Sequence, residues 1–205
     1  MDNNYTIAIS KEDVAALPRE EFSGTIKVVD TRVDMLKAVE ILKRYPVLGF
    51  DTESRPIFRK GAEVHVSLIQ ISADDICFLF RVRKLDDVTP LCQIIDNPKI
   101  TKIGLSLHDD FGSLAHSYKF NPAGFIDIQH LVPNYNISNA SLQKIYAILF
   151  DMRISKSQQL SNWDAPQLTE AQQKYAALDA WACIQIYRKL KGFDPETSKY
   201  KTAIE

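Results

Sequence analysis

Val47-Leu-Gly-Phe-Asp-Thr-Glu53 joins an apolar run to two acidic residues. The apolar part predicts a buried strand. Side chains two residues apart on a strand share a face, so Asp51 and Glu53 point to one spot while Thr52 points away. Two adjacent like charges repel and raise each other's pKa unless a cation lies between them. A lone acidic pair is more often a solvated strand end, so this site needs partners elsewhere in the chain.

The segments around that strand alternate between predicted strands and helices. Further strands are predicted at Thr25–Val29, Val64–Ser72, Ile76–Phe80, Ile100–Leu105 and Phe125–Ile128. One helix is predicted to begin at Ser10, one after Thr31 as its N-cap, and one near Asp110. The other predicted helices are Leu91–Ile95, Ser141–Leu149 and Thr169–Leu190. Hairpin-like strands followed by strands that alternate with helices predict an α/β domain with a mixed sheet. We expect an N-terminal extension at residues 1–24, the domain at residues 25–192, and a polar, frayed tail at residues 193–205.

The composition is that of an ordinary globular domain. The chain has 205 residues, 45% of them hydrophobic and 25% charged, which is enough for one core and too little for two ordinary domains. No apolar run approaches the roughly 18 residues of a membrane span, and the first residues show no secretory pattern. Cys77, Cys92 and Cys183 form no C-x-x-C pair, which is typical of buried thiols in a reducing compartment. We therefore expect a cytoplasmic protein with no membrane partner and no obligate protein partner.

The net charge neither identifies nor excludes a nucleic-acid partner. The formal charge is −1 and the pI about 6.4, whereas proteins that bind nucleic acid by broad phosphate neutralisation are usually basic. An enzyme that contacts only a few phosphates at a strand end remains compatible with this charge. Acidic residues that hold metal ions lower the charge of the free protein, and the ions restore it.

A second acidic group lies where a predicted strand meets a predicted helix, in Lys102-Ile-Gly-Leu-Ser-Leu-His-Asp-Asp-Phe-Gly-Ser-Leu114. An aspartate at that junction either caps the helix or faces the crevice at the strand ends, where ligands of open sheets bind. Taken alone, capping is the commoner role. Asp127, after the next predicted strand, is likewise interpreted as the cap of the segment that follows it.

A third polar group lies on the long predicted helix Thr169–Leu190. Tyr175 and Asp179 are four residues apart and therefore share one face. Small neighbours such as Ala176 and Ala182 allow that face to approach the sheet closely, although a solvated helix edge is equally compatible with the pattern. Four carboxylates from three segments would offer only oxygen ligands. Such ligands favour Mg²⁺ or Mn²⁺ over zinc, and paired ions of this kind serve phosphodiester cleavage.

Three motifs occur in an order that resembles the DEDDy branch of the DnaQ-like 3′→5′ exonucleases, above all the Werner-syndrome-type exonuclease domain and ribonuclease D. They are Gly49-Phe-Asp-Thr-Glu53, Lys102-Ile-Gly104 through Asp110 to Leu114, and Tyr175-Ala-Ala-Leu-Asp-Ala180. Val66-Ser-Leu-Ile-Gln-Ile71 resembles the strand after the first motif, and Ser161-Asn-Trp163 with Leu168-Thr-Glu170 resembles the approach to the third. The similarity extends from about Thr25 to Leu190.

This resemblance implies a ribonuclease H-like fold, a mixed sheet flanked by helices, and a pair of Mg²⁺ or Mn²⁺ ions. Asp51 would bridge both ions, with Glu53 and Asp179 completing the first site and Asp110 holding the second. Tyr175 would orient the attacking water.

The second motif contains two adjacent acidic residues, Asp109 and Asp110. Leu114 lies four residues after Asp110, as in the family pattern, so Asp110 is assigned to the site. Asp109 is then predicted to cap the helix.

Residues near the motifs are candidates for contact with a nucleotide. Thr52, Arg55, Gln70 and Trp163 are the predicted substrate-binding residues. Arg55 follows the first motif together with Arg59 and Lys60, and guanidinium groups suit phosphate oxygens, although a solvated loop is equally compatible. For Gln70 and Trp163 the alternative is packing.

The predicted function is stepwise hydrolysis from the 3′ end of DNA or RNA with release of nucleoside 5′-monophosphates. One alternative is a nucleic-acid-binding module that keeps the fold without turnover. A phosphatase that uses Asp51 as nucleophile is disfavoured because Glu53 stands where D-x-D sites carry an aspartate. The choice between DNA and RNA depends on how the site treats the 2′-hydroxyl, which no residue pattern indicates.

Overall fold

Eight strands and seven helices are present in the computed structural model, which describes residues 5–56 and 65–203. The strands are β1 (Tyr5–Ile7), β2 (Thr25–Val29), β3 (Val47–Ser54), β4 (Val66–Ser72), β5 (Ile76–Phe80), β6 (Thr101–Gly104), β7 (Phe125–Asp127) and β8 (Lys201–Ala203). The helices are α1 (Lys11–Ala16), α2 (Arg32–Leu42), α3 (Cys92–Ile95), α4 (Leu107–Ser117), α5 (Ile128–Leu131), α6 (Leu142–Phe150) and α7 (Glu170–Leu190).

Six of the strands form one mixed sheet in the order β2-β5-β4-β3-β6-β7. β3 is antiparallel to β4 and parallel to β6. All seven residues of β4 are buried, because helices cover both faces of the sheet. Leu68 faces the core that contains α6 and α7, while its neighbour Ile69 faces the core that contains α2. The predicted α/β class with a mixed sheet is confirmed.

Two predicted helix caps are present. The hydroxyl of Thr31 accepts a hydrogen bond from the backbone N–H of Asp34 at 3.2 Å, at the start of α2. At the start of α7, Thr169 and Gln172 form a capping box in which each side chain bonds the other's backbone N–H. Because these bonds satisfy N–H groups that the first helical turn leaves free, they fix where each helix begins.

Gly49 allows α7 to lie directly on β3. A Cβ atom at this position would be 1.9 Å from the carbonyl oxygen of Ala180, so any other residue would push the helix away. This close approach places Asp179 of α7 beside Asp51 of β3.

The start of α4 differs from the prediction. The helix begins at Leu107 and not at Asp110, with Ser106 as its N-cap residue at φ 61°. The carboxylate of Asp127 accepts hydrogen bonds from the backbone N–H groups of Ser106 and Leu107, at 3.2 and 2.9 Å. It also accepts one from Gln129, so its predicted role as cap of the following segment is confirmed. The prediction that Asp109 caps α4 is wrong, because Asp127 holds that end of the helix and Asp109 is exposed in its first turn.

The two ends of the chain meet. β1 pairs with β8 in an antiparallel two-stranded sheet, from Tyr5 opposite Ala203 to Ile7 opposite Lys201. The prediction of a frayed tail is therefore wrong for residues 201–203, since backbone pairing with a segment nearly 200 residues away orders them. Ile7 also joins the core that contains α7.

All three cysteines are free thiols. Cys77 and Cys183 are buried, as predicted, whereas Cys92 in α3 is half-buried. Within residues 5–56 and 65–203, no helix combines the length and the apolar character that a membrane crossing requires.

Candidate active site

A cleft of about 370 Å³ opens at the edge of the sheet where β3 and β6 end. Because β3, β6 and β7 are mutually parallel, their carboxyl ends lie at one edge, which is where open α/β sheets bind ligands. The cleft is lined by residues of β3, the turn between β6 and α4, helices α5, α6 and α7, and the segment between α6 and α7.

Three acidic residues line this cleft together: Asp51, Glu53 and Asp179. One carboxylate oxygen of each lies within 4.8 Å of those of the other two. β3 places the first two on one face, as the spacing predicted, and α7 supplies the third. The Oδ1 atom of Asp179 is buried and has no hydrogen-bond partner among the described residues. A set of oxygen ligands with an unpartnered buried oxygen fits a hard divalent cation such as Mg²⁺ or Mn²⁺.

Asp110 approaches from the first turn of α4, beside these three residues. Its Oδ1 accepts a hydrogen bond of 2.5 Å from the hydroxyl of Thr52, which lines the cleft together with Asp51 and Glu53. The charge of Asp110 helps to raise the pKa of Asp51. Asp109 is exposed. Of the adjacent pair, Asp110 is the residue that the structure brings to the site.

Burial and like charges raise the pKa values of these carboxylates. Asp51 keeps part of its surface in the cleft, yet loss of water is the largest cause of its raised pKa, followed by the charges of Asp110 and Asp179. Burial, then Asp179 and Asp110, raise the pKa of Glu53 to about 9. Burial raises the pKa of Asp110 to about 6, although the Thr52 hydrogen bond opposes this. The fold therefore holds acidic groups together in a form that resists ionisation without a cation.

Asp179 is subject to opposing effects. Burial raises its pKa to about 7, while the neighbouring hydroxyl of Tyr175 and the positive charge of Lys156 lower it. Tyr175 is only 8% exposed, and burial together with the charges of Asp179 and Glu53 raises the pKa of its phenol. A phenol held in its protonated form serves as a hydrogen-bond donor and not as a base.

The predicted substrate-binding residues lie in different surroundings. Gln70 is opposite Asp51 on β4 and fully buried, with neither amide atom hydrogen-bonded within the described part of the chain. Trp163 is 1% exposed, and its ring centroid is 6.1 Å from that of Tyr175. Neither residue lines the cleft, so the structure does not bring either of them to a nucleotide bound there. Arg55 is exposed at the end of β3, and Arg59 and Lys60 lie outside the described residues.

Other residues of the cleft carry no sequence signal that identified them. Lys156 and Gln159 reach it from the irregular segment between α6 and α7, and Gln129 and Gln143 reach it from α5 and α6. Lys156 is the one cationic side chain among the described residues that line the cleft. An irregular segment has no periodicity from which the direction of a side chain is predicted.

Comparison of sequences identifies relatives. A family model described as 3′-5′ exonuclease matches residues 26–192. The chain is 31% identical over 152 residues to the Mus musculus bifunctional 3′-5′ exonuclease/ATP-dependent helicase WRN, covering 70% of this chain and 11% of that protein. It is 31% identical over 164 residues to the Homo sapiens exonuclease 3′-5′ domain-containing protein 2, covering 74% of this chain and 26% of that protein. The chain thus spans about a tenth to a quarter of the length of these relatives.

Solved structures share the fold. The Aedes aegypti Nibbler EXO domain matches with a TM-score of 0.75 and 21% identity, over 83% of this chain and 92% of that one. Escherichia coli RNase D matches with a TM-score of 0.74 and 23% identity, over 82% of this chain and 44% of that one. Trypanosoma brucei RNase D, in a complex with RNA U12, matches with a TM-score of 0.74 and 20% identity, over 84% of this chain and 64% of that one. The predicted ribonuclease H-like fold is confirmed. The match over residues 26–192, with these relatives, shows that the chain belongs to the 3′-5′ exonuclease family of nucleases.

Proposed function

We propose that this protein shortens a nucleic-acid strand from its 3′ end, hydrolysing phosphodiester bonds with two divalent metal ions and releasing nucleoside 5′-monophosphates. The observation that carries this proposal is the convergence of Asp51, Glu53 and Asp179 within 4.8 Å in an open cleft, with Asp110 beside them. Membership of the exonuclease family supports the reaction class. The RNA bound to the Trypanosoma brucei neighbour supports a nucleic acid as the substrate.

The carboxylates would hold the two ions. Asp51, Glu53 and Asp179 would form the first site, and Asp51 with Asp110 the second. When bound, Mg²⁺ or Mn²⁺ supplies positive charge that offsets charge developing on the phosphate oxygens and on the leaving oxygen. Because these carboxylates bind metal in their ionised form and their pKa values are raised, we expect metal binding to release protons.

Tyr175 orients the attacking water. Its hydroxyl is protonated and buried beside Asp179. A hydroxyl in this position positions the water without removing its proton. Glu53, in the same cleft, accepts a hydrogen bond from that water.

Lys156 and Gln159 contact the terminal nucleotide. Lys156 places a positive charge in a cleft that is otherwise lined, in the described part of the chain, by carboxylates and neutral groups. An ammonium here attracts the phosphate that the carboxylates alone would repel. Arg55, exposed just after the end of β3, would meet the strand farther out.

A test uses matched DNA and RNA oligonucleotides labelled at the 5′ end, incubated with Mg²⁺ or Mn²⁺. We expect a ladder that shortens from the 3′ end, no ladder with a blocked 3′ end, and nucleoside 5′-monophosphates as products. Asp51→Asn is the matched control for contaminating nuclease. Binding of the oligonucleotides without any cleavage would instead identify a nucleic-acid-binding module.

A further inference from the structure

A second cavity, of about 260 Å³, lies between the start of β4, the one-turn helix Val82–Lys84 after β5, and the loop before α7. We call it the side pocket; its lining residues are Ser67, Arg81, Arg83, Lys84, Trp163 and Asp164. None of these residues lines the cleft of the candidate active site.

The side pocket adjoins that cleft at two points. Pairing of β3 with β4 shifts between Glu53 and Ser54, so Ser67 is left as a bulge beside Glu53. Bulges of this kind redirect a side chain and are common next to active sites. On the other side, the ring of Trp163 packs against that of Tyr175 at 6.1 Å between centroids. A ligand in the side pocket would therefore lie next to whatever occupies the cleft.

Three residues of the side pocket each carry a buried polar atom without a hydrogen-bond partner within the described residues. The atoms are Oγ of Ser67, Nε of Arg81 and Nε1 of Trp163, and the residues are 3%, 3% and 1% exposed. The two nitrogens only donate hydrogen bonds, and the hydroxyl donates as well. Buried donors are normally paired, so three unpaired donors on residues that line one cavity favour a ligand with several acceptor oxygens.

Arg81 is held in place by other bonds. Its Nη1 atom donates to the carbonyl oxygen of Pro166 at 2.9 Å, and its Nη2 atom donates to that of Ala165. Lys84 donates to the same Pro166 carbonyl at 2.6 Å. These bonds occupy the fork of the guanidinium and leave its Nε–H unpaired, so this donor is fixed before any ligand arrives.

The charges around the side pocket favour an anion. Arg81 and Lys84 each lie 3.7 Å from Asp30, and Arg83 lies 3.4 Å from Asp164. Three cations against two carboxylates leave one positive charge. Both Arg83 and Lys84 remain partly exposed, at 49% and 38%, and can turn toward an incoming anion.

We propose that the side pocket binds a phosphate group, with hydrogen bonds donated by Ser67, Arg81 and Trp163 and positive charge supplied by Arg83 and Lys84. A phosphate offers several oxygens and negative charge together, which matches donors that a single water satisfies poorly. Because the side pocket lies beside the cleft, the phosphate could belong to the strand whose 3′ end is cut. This assignment of the phosphate to the strand rests on the proposed function. Free phosphate or a mononucleotide carries the same oxygens.

The binding test is a calorimetric titration of the protein with inorganic phosphate in excess chelator. Because Lys156 places a positive charge in the cleft, the titration is repeated with Lys156→Gln, and an unchanged affinity in that variant assigns the binding to the side pocket. We expect saturable binding, weakened about 10-fold in Ser67→Ala and in Arg83→Gln, the loss of one charge-assisted hydrogen bond. Arg188→Gln is the matched control, because Arg188 is also half-exposed and paired with an aspartate, Asp74, at 2.6 Å. Absence of saturable binding below about 10 mM, or equal weakening in Arg188→Gln, would show that the pocket holds only water.

The source of the phosphate is decided by cleavage kinetics in Mn²⁺. If the strand supplies it, Arg83→Gln raises KM for an oligonucleotide several-fold with kcat unchanged, while Arg188→Gln changes neither. An unchanged KM with weakened phosphate binding assigns the side pocket to free phosphate or a mononucleotide. Failure of the nuclease proposal is distinguishable, because an inactive wild-type protein leaves the titration in chelator fully informative.

Discussion

A buried lysine and a cluster of buried acidic residues differ in the partners that surround their charged groups. The first is the ammonium of Lys102, whose side chain is fully buried. It donates to the carbonyl oxygens of Asn97 and Ile100 at 2.7 and 2.8 Å and also to that of Ala123. All three of its N–H groups are thus paired, and the ring of Phe125 lies 4.8 Å away.

The second is the group formed by Asp51, Glu53 and Asp179, where the nearest charges are alike and one buried oxygen has no partner among the described residues. Burial lowers the pKa of Lys102 to about 8, and burial with mutual repulsion raises that of Glu53 to about 9. The difference is that backbone carbonyls are the partners of the lysine, whereas Oδ1 of Asp179 has no partner among the described residues, and under the proposed function a cation would supply it. The first arrangement serves stability, and under the proposed function the second serves chemistry.

The largest expected effect is that of Asp51→Asn on cleavage. The amide keeps the shape and loses the charge that holds metal, so the rate should fall at least about 1,000-fold, or ~4 kcal/mol of barrier. In chelator the variant should be no less stable than wild type, because removing a carboxylate relieves repulsion. Single-turnover cleavage and thermal unfolding measure the two quantities. Near-wild-type activity, or a clear loss of stability, would show that Asp51 has a structural role, as Lys102 does.

Tyr175→Phe should slow cleavage about 10- to 1,000-fold while leaving metal affinity nearly unchanged. The ring stays and only the hydroxyl that orients the water is lost. Calorimetric titration with Mn²⁺ beside single-turnover cleavage separates binding from chemistry. A wild-type rate would make the tyrosine a packing residue against Trp163.

Lys102→Met should lower stability and leave activity unchanged, the opposite of what is expected for Asp51→Asn. Three buried carbonyls lose their donor, so we expect a loss of about 2 kcal/mol of stability with normal activity per folded molecule. Urea unfolding and cleavage at low temperature measure these effects. Lys43→Met, which removes an exposed lysine paired with Glu40, is the control and should change stability little. A loss of activity without a loss of stability would contradict the assignment of Lys102 to stability.

The stability of the metal-free protein should fall as pH rises. Asp179 and Glu53 have ordinary pKa values of 3.8 and 4.5, raised in the fold to about 7 and about 9. Their contribution is therefore fully present below the ordinary values and is lost as pH rises toward the raised ones. Thermal unfolding in chelator between about pH 5 and 8 should show this decline, and Mn²⁺ should reverse it. Glu53→Gln should flatten the curve; a flat wild-type curve would refute the effect.

The smallest effect should be that of Asp109→Asn. Asp109 is exposed in the first turn of α4 and does not cap it, so only a weak interaction with the helix dipole is lost, less than about 1 kcal/mol. Asp110→Asn, one residue on, should reduce cleavage by orders of magnitude. Denaturation midpoints and cleavage rates of the pair test this directly. Exchange of the two outcomes would show that the second motif is misassigned by one residue.

Local features made much of this protein predictable. The caps at Thr31 and Thr169 act within three residues, and strand and helix periodicities act within a few more, so the sequence alone indicates most elements to within a few residues. The three motifs place Asp51, Glu53 and Tyr175 on correct faces for the same reason. They also indicated the family that the comparison over residues 26–192 confirmed.

The tertiary structure decided what depends on residues far apart in the chain. Asp127 caps a helix that begins 20 residues earlier, and the tail is ordered by a strand at the opposite end of the sequence. The burial of Gln70, the reach of Lys156 into the cleft and the unpaired donors of the side pocket likewise follow from packing. Periodicity and capping describe neighbours along the chain, and they carry no information about which distant segment will supply a hydrogen bond or cover a side chain. The sequence by itself thus determined which residues could do chemistry, and only packing of α7 onto Gly49 brought their carboxylates within reach of one ion.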